Sequence, residues 1–375
     1  MLSLFNLRGD LSRSQGLVLG IAGLVIFFVL WWIIAELNSE MKAILPEFET
    51  RLESGIGKDS LEHQKYLDSL AVVDSIMISQ ATEFEKIYPS IPSPIETFKS
   101  YPSLIRDDDL FKNTWQSIWL NLKGYFWAIF ISVPFGFLLG LFPFFRGLFS
   151  KQVDALRYLP LTALVGMFMT WFGTNDGMKV AFLAFGIIVY LLPVVVQRIN
   201  EVNNVYLKTV FTLGATDWQT IKSVYIPSVM SRLMDDIRVL TAISWTYIII
   251  AELLNKKGGL GALIHTYGRF GFAEKVFAIL IVFIIIGFLQ DRIFVFIDKR
   301  LFPHKYVNTR PSGLNESQLG ILVVLGGVLT TILLQSLLPY ADWITSYLLP
   351  ILATSGILFI LFGEFKIYQN KQVNA

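Results

Sequence analysis

The chain has 375 residues, 54% of them hydrophobic and 16% charged, against roughly 45–50% apolar and about 25% charged in soluble domains. With a mean hydropathy of +0.57 it reads as an integral membrane protein, and the absence of cysteine excludes disulfides, thiolate metal sites and cysteine nucleophiles. The net charge of +2 hides an asymmetry, because residues 38–111 hold seven Lys or Arg against fourteen Asp or Glu while the remainder is basic.

In chain order, residues 1–15 carry Arg8 and Arg13 ahead of an apolar run over 16–36, about the 20 residues that cross a bilayer. The run ends in Trp31-Trp32, which suit an interface. Its length, and the lack of a small-residue cleavage site after it, predict a retained anchor rather than a cleaved signal. Residues 38–111 are predicted to form a helical insertion outside the membrane. There Tyr66, Leu70, Val73, Met77, Gln80, Phe84 and Ile87 alternate steps of four and three, the stripe of a helix of about six turns. Gly55-Ile56-Gly57-Lys58-Asp59 lacks the spacing of a phosphate loop and reads as a turn.

Further spans are predicted over 115–142, with Pro134 and Gly136 as a bend, then 158–173, 180–197, 237–254, 276–296, 319–338 and 344–362. The expected fold is therefore all-α and polytopic, with about eight transmembrane helices. Gly166, Gly186 and Gly287 read as close-packing positions between helices. Loops on one side hold sixteen Lys or Arg, against five on the other, namely Lys179, Lys256, Lys257, Arg269 and Lys275. That bias places both termini, and the loop over 198–235, in the cytoplasm.

Within that loop, residues 202–227 are a polar, helix-forming island in an otherwise lipid-soluble chain. Val202, Val205, Tyr206, Val210 and Leu213 have helical spacing, and Gly214 sits where a left-handed C-terminal cap belongs. Thr216 and Gln219 then form a Thr-x-x-Gln capping box that opens a second short helix. Trp218, Ile221 and Val224 or Tyr225 form its apolar stripe, and Pro227 is the expected breaker.

No catalytic constellation is present. The chain lacks His-Glu-x-x-His, Gly-x-Ser-x-Gly and a Walker lysine, so it does not read as an enzyme. His63, His265 and His304 are too scattered for a metal site, and Asp176, Asp235 and Asp236 fall at span ends rather than forming an intramembrane pair. Glu252, near the end of the fifth span, is the ionisable residue to follow, since a carboxylate at membrane depth faces a polar cavity or a partner. It stands with Trp171, Trp245 and Thr246 as a candidate lining of a pathway. The alternatives are an ion pair with Lys256, one helical turn on, and plain packing for the aromatic residues.

Leu213-Gly214-Ala215, then Val224-Tyr225-Ile226-Pro227 at a fixed spacing from Gly214, resembles the cytoplasmic "EAA" loop of binding-protein-dependent ABC importer permeases. Ile91-Pro92-Ser93-Pro94, the segment YLPLTALVGMFMTWFG over 158–173, Ala251-Glu252 and Gly259-Leu260-Gly261-Ala262-Leu263-Ile264 extend the likeness to the nitrate, taurine and alkanesulfonate type, over residues 91–304. One departure is Lys208-Thr209-Val210, which stands where the family has Glu-Ala-Ala.

The expected segments are an anchor at 1–37, an insertion at 38–111, a permease core at 112–306 with its coupling loop at 198–235, and two additional helices with a tail at 317–375; the resemblance accounts for the core and leaves the insertion and the last two spans unexplained. It implies that Lys208, Leu213, Gly214, Ala215, Thr216, Trp218, Gln219, Ile226 and Pro227 meet a cytoplasmic ATPase. ATP and magnesium would sit on that ATPase, with no cofactor on this chain. Further implied partners are an extracytoplasmic substrate-binding protein, a second copy of the permease as a homodimer, and lipid, but no nucleic acid. The expected location is the bacterial inner membrane, and the expected substrate a small anion such as nitrate, taurine or a sulfonate. The alternative is a non-transporting scaffold or sensor that keeps the permease fold. A channel is disfavoured, since no span carries a ring-forming charge series or a glycine-rich filter.

Overall fold

A computed structural model describes residues 11–43, 84–254, 258–306, 311–338 and 342–373. These residues are almost wholly helical and divide into two compact units, one made of Met1–Asp108 with Thr266–Ile279 and the other of Asp109–His265 with Leu280–Ala375.

The first unit begins with α1 (Arg13–Leu37), opened by a capping box in which Ser12 and Gln15 satisfy each other's backbone N–H. Most of its apolar side chains are exposed, and the helix is long and apolar enough to cross a membrane. Two short strands follow, β1 (Glu40–Ala43) and β2 (Phe84–Ile87), paired antiparallel with Glu40 opposite Ile87 and Ala43 opposite Phe84. Phe84 and Ile87 are thus in a strand and not on the expected helical stripe, because backbone pairing with the chain leaving α1 fixes them as extended. The remaining stripe residues and the Gly55–Asp59 turn lie outside the described residues.

The Ile-Pro-Ser-Pro segment then acts as a helix start. Ser93 is the N-cap of α2 (Pro94–Lys99), accepting from the Glu96 amide at 3.2 Å, and Pro94 occupies the first helical position, where a missing N–H costs nothing. Pro92 offers its carbonyl to Trp31 Nε1 at 3.0 Å, and Trp31 stacks on Phe277. α3 (Tyr101–Arg106) completes this stretch, and Tyr101 donates to the Ala278 carbonyl at 3.0 Å.

The second unit is built on α4 (Leu110–Leu141) and α7 (Asp176–Asn200). Lipid gives little hydrophobic drive between helices, so close approach and polar contacts carry the packing. Small residues supply the approach: a Cβ at Gly124, Gly136 or Gly140 would lie 2.6, 2.4 and 2.5 Å from Leu183, Val195 and Ile199. Gly136 is thus a contact position, and α4 runs unbroken through Pro134. α10 (Ile226–Leu254) packs on α7 through Val229, Leu233, Ile237 and Leu240. It joins α4 by polar contacts, Asn121 with Ser244 at 3.0 Å and Tyr125 with the Ile237 carbonyl at 2.8 Å. Of the three glycines expected at helix contacts, Gly186 lies against Tyr247, while Gly166 and Gly287 face open space.

Between α4 and α7 lie α5 (Pro143–Leu156) and α6 (Leu161–Phe172), bent by 108° at their junction. The 12 residues of α6 span only about 18 Å at 1.5 Å per residue, so the segment expected as a full third span is one arm of a broken pair. Pro160, at its N-cap, forbids continuation from α5. α11 (Leu260–Phe270) and α12 (Ala273–Leu301) follow.

Last comes a hairpin of α13 (Leu314–Leu337) and α14 (Asp342–Val373). Its helices touch along Gly313, Gly320 and Gly327 on one side and Gly356 and Gly363 on the other, where any Cβ would fall 2.5–2.8 Å from the facing helix. Gln335 accepts from Trp119 Nε1 at 3.2 Å and Gln318 donates to the Arg300 carbonyl at 2.8 Å, which fastens both ends of α13 to the core.

Six helices among the described residues are long and apolar enough to cross a membrane, or seven if the α5–α6 pair is one span. The expected eight are not reached. α6 is short, and α10, which holds the expected fifth span, is not among the six.

Candidate functional site

α8 (Asn204–Thr212) opens on Asn203, whose side chain accepts from the Val205 amide at 2.9 Å. It closes in a Schellman turn. Gly214 is left-handed at φ +73°, its amide donates to the Phe211 carbonyl at 3.0 Å, and the Ala215 amide reaches the Val210 carbonyl at 3.1 Å. Thr216 then caps α9 (Asp217–Thr220) by the expected reciprocal bonds with Gln219, at 2.8 and 3.3 Å. Two capped ends three residues apart make this elbow stiff.

Pro227 does not break the second helix. A π turn over Ile221–Tyr225 leads directly into α10, and the Ile226 amide bonds back five residues to Ile221. The wider turn displaces the carbonyl that a proline ring would otherwise strike, so the helix continues past it.

The elbow has two faces. Val202 and Val224 are buried against Val229 and Leu233, while Phe211, Leu213 and Trp218 are 82%, 79% and 68% exposed. Of the loop residues singled out from sequence, Lys208, Leu213, Gly214, Thr216, Trp218, Gln219, Ile226 and Pro227 are exposed and Ala215 is half-buried. Beneath them, Arg198 at the end of α7 grips Asp236 of α10 by two bonds of 2.7 Å and reaches Glu201 at 2.6 Å. Arg232 adds a bond to the Glu201 carbonyl at 3.2 Å. The Gln197 amide and the Arg198 guanidinium hold the Glu201 carboxyl below the usual glutamate range.

A cavity of about 1080 Å³ opens among α4, α6 and α7, with Gln335 and Ser336 of α13 at its edge. Glu252 and Trp171 both line it. Glu252 is 1% exposed. One of its oxygens accepts from Ser117 Oγ at 2.6 Å and the other from the Gly261 amide at 2.7 Å. The glycine-rich turn exists to allow this. The Gly259 amide donates to Asn113 at 2.7 Å, Leu260 to Ser117 at 2.9 Å, and a Cβ on Gly259, at φ +100°, would sit 2.3 Å from the Glu252 carboxyl carbon. The alternative partner Lys256 lies outside the described residues.

Trp245 and Thr246 do not line the cavity. Trp245 is buried, donating to Gln290 at 2.7 Å with its edge on Phe283, and Thr246 bonds its own helix at the Ala242 carbonyl. Sequence reasoning missed Ser117 and Asn113, whose i, i+4 spacing on α4 was the available signal. It also missed Lys179, counted as a loop charge but 3% exposed at the cavity wall, its Nζ 3.3 Å from Asp176.

Residues 132–303 match the family described as the binding-protein-dependent transport system inner membrane component. That segment is a little under half of the chain. It contains both the elbow and the Glu252 turn; α1, the acidic insertion and the α13–α14 hairpin fall outside it. The chain is 25% identical over 56% of its length to the putative aliphatic sulfonates transport permease protein SsuC of Bacillus subtilis, covering 76% of that protein. It is 24% identical over 54% of its length to the taurine transport system permease protein TauC of Escherichia coli, covering 74%. A putative ABC transporter permease protein of Methanocaldococcus jannaschii is 27% identical, with 63% of this chain and 89% of that one aligned.

Proposed function

We propose that this permease forms the membrane pathway of an ABC importer and receives its drive through the 202–227 elbow from a separate cytoplasmic ATPase. The observation that carries the reading is the elbow itself: a doubly capped turn whose outer face presents Phe211, Leu213 and Trp218 has the apolar, aromatic make-up of an interface centre. ATP and magnesium belong to the partner. Closure of two ATPase subunits would move the elbow as a rigid body, and the Arg198–Asp236 clamp at its base would pass that movement to α7 and α10, alternating the pathway between inward-open and outward-open states. The reading includes a second copy of the chain, a substrate-binding protein outside, an inner-membrane location and cytoplasmic termini, the last on the Lys and Arg bias. The relatives named for aliphatic sulfonates and taurine support a small anion as substrate.

The test is coexpression of the full chain with its candidate ATPase, read as copurification and as ATPase rate in proteoliposomes. Gly214→Pro cannot adopt φ +73° and is expected to abolish association; Lys208→Glu is expected to change affinity while leaving the fold intact. Unchanged association in Gly214→Pro would sink the coupling reading and favour the scaffold alternative.

A further inference from the structure

α5 buries none of its residues, yet it is rich in aromatic ones. Phe144, Leu148 and Phe149 are 73%, 50% and 42% exposed. Phe142, itself exposed just past the end of α4, meets the ring of Phe145, which in turn meets Phe144. The outward stripe of Phe135, Leu138 and Phe142 on α4 thus runs on into the first two turns of α5. The other side of α5 is polar: Arg146, Ser150, Asp154 and Arg157 line a cleft of about 360 Å³ against the end of α7. The 14 residues of α5 reach only about 21 Å, short of the roughly 30 Å of a hydrocarbon core. Its axis turns 108° from that of α6, so with α6 upright α5 lies close to the plane of the membrane.

The helix is also basic, with Arg146, Lys151 and Arg157 against Asp154 over residues 143–157. Arg157 takes Asp154 at 2.6 Å, and Glu201, the other acid of the cleft, is taken by Arg198. Arg146 donates to the Leu139 and Gly140 carbonyls and to the Asn200 side-chain oxygen, none of them a carboxylate, which leaves the donors of its Nη1. Lys151 is exposed and has no ion pair among the described residues. It stands three residues beyond Leu148, at the edge of the apolar stripe, with Gln152 beside it. We propose that α5 is a headgroup-level helix that binds anionic phospholipid in the leaflet on the elbow's side, the side to which the Asn200 bond at 3.2 Å ties it. Phe144, Leu148 and Phe149 enter the acyl chains, while Lys151 and Arg146 meet lipid phosphates. Lipid fits better than a protein because the first two turns offer no hydrogen-bonding side chain on the stripe and continue the outward face of a membrane-crossing helix. The proposal goes beyond the permease reading and needs no ATPase; it also makes α5 and α6 something other than one broken span.

The chain has no cysteine, so single cysteines report without background. Full-length Phe144→Cys, Leu148→Cys and Ala155→Cys, each labelled with nitrobenzoxadiazole, are placed in nanodiscs of mixed phosphatidylcholine and phosphatidylglycerol, and quenching by doxyl lipids gives the depth of each probe. Probes at 144 and 155 are expected to lie within about 6 Å of one depth, whereas a helix crossing the bilayer would separate them by about 16 Å and would overturn the proposal. At position 148, doxyl-phosphatidylglycerol is expected to quench at least twice as well as doxyl-phosphatidylcholine at equal mole fraction. That advantage should vanish in Lys151→Gln, and at about 1 M salt, where charges are screened beyond about 3 Å. Lys151→Gln alters an exposed side chain, and an unchanged thermal midpoint shows that its fold is intact. Equal quenching by the two lipids, or an advantage that survives both Lys151→Gln and salt, overturns the anionic site. So does a lack of quenching at 144 and 148 with disulfide formation between unlabelled Leu148→Cys chains, which would make the occupant a second copy.

Discussion

Gly259 is the residue on which the Glu252 turn depends. Its φ of +100° and the carboxyl carbon lying 2.3 Å from any Cβ mean that Gly259→Ala must both strain the backbone and push the buried carboxylate off Ser117. The expected loss is about 1–3 kcal/mol, read as a fall in thermal midpoint, against Gly268→Ala as a control in open space. Equal midpoints for the two variants would mean the turn is not braced on Glu252. At the elbow's base, Glu201 has a depressed folded pKa owed first to Gln197 and then to Arg198. Its contribution is therefore present above the ordinary glutamate value and lost as pH falls through the folded one. Glu201→Gln should lower stability at neutral pH and converge with the wild type in acid, which flattens the acid limb of the stability curve; a parallel shift at all pH values, or no loss at neutral pH, would refute the linkage. The glutamate at depth was legible in the sequence because a charge in an apolar run stands out. Its true partners were not, since a serine on α4 and an amide beyond a glycine pair are brought to it only by tertiary folding.

At the scale of elements, the capping chemistry of the elbow was fully readable, because Gly214, Thr216 and Gln219 act through neighbours two to five residues away. Pro227 misled for the same local reason: a proline forbids an ordinary α turn, and the sequence does not announce that a π turn will absorb it. Phe84 and Ile87 misled because a helical period over a long stripe carries no information about pairing with residues 40–43. In the C-terminal hairpin the glycines at 313, 320 and 327 recur every seven residues, and the structure sets them against Gly356, Gly363 and Leu352. Gly320→Leu is expected to splay α13 from α14 and lower the thermal midpoint by several degrees, as roughly 2–3 kcal/mol would at this size. Gly326→Leu, facing open space, should be neutral. Matching effects in both variants would place the hairpin contact elsewhere.

At the scale of the whole molecule, composition and span spacing conveyed an all-α membrane protein, and short motifs conveyed the importer family, because both signals are summed over many residues. The number of spans was less legible. Apolar content marks a segment as fit for lipid, but α5 and α6 share that content across a bend of 108°, and α10 mixes Arg232, Asp235, Asp236, Arg238 and Glu252 among its apolar residues. The aromatic cavity was invisible as well, since its lining comes from five helices separated by up to about two hundred residues.

The π turn over Ile221–Tyr225 has a consequence for aim. One extra residue accommodated in a helix rotates the part before it by about 100° relative to the part after it. The azimuth at which Trp218 leaves the helix is therefore decoupled from the azimuth at which Val229 and Leu233 meet α7. A chain can in this way keep its membrane packing fixed and re-point its outer contact by gaining or losing a single residue beside Pro227, which makes this short segment a dial for matching one permease to one motor.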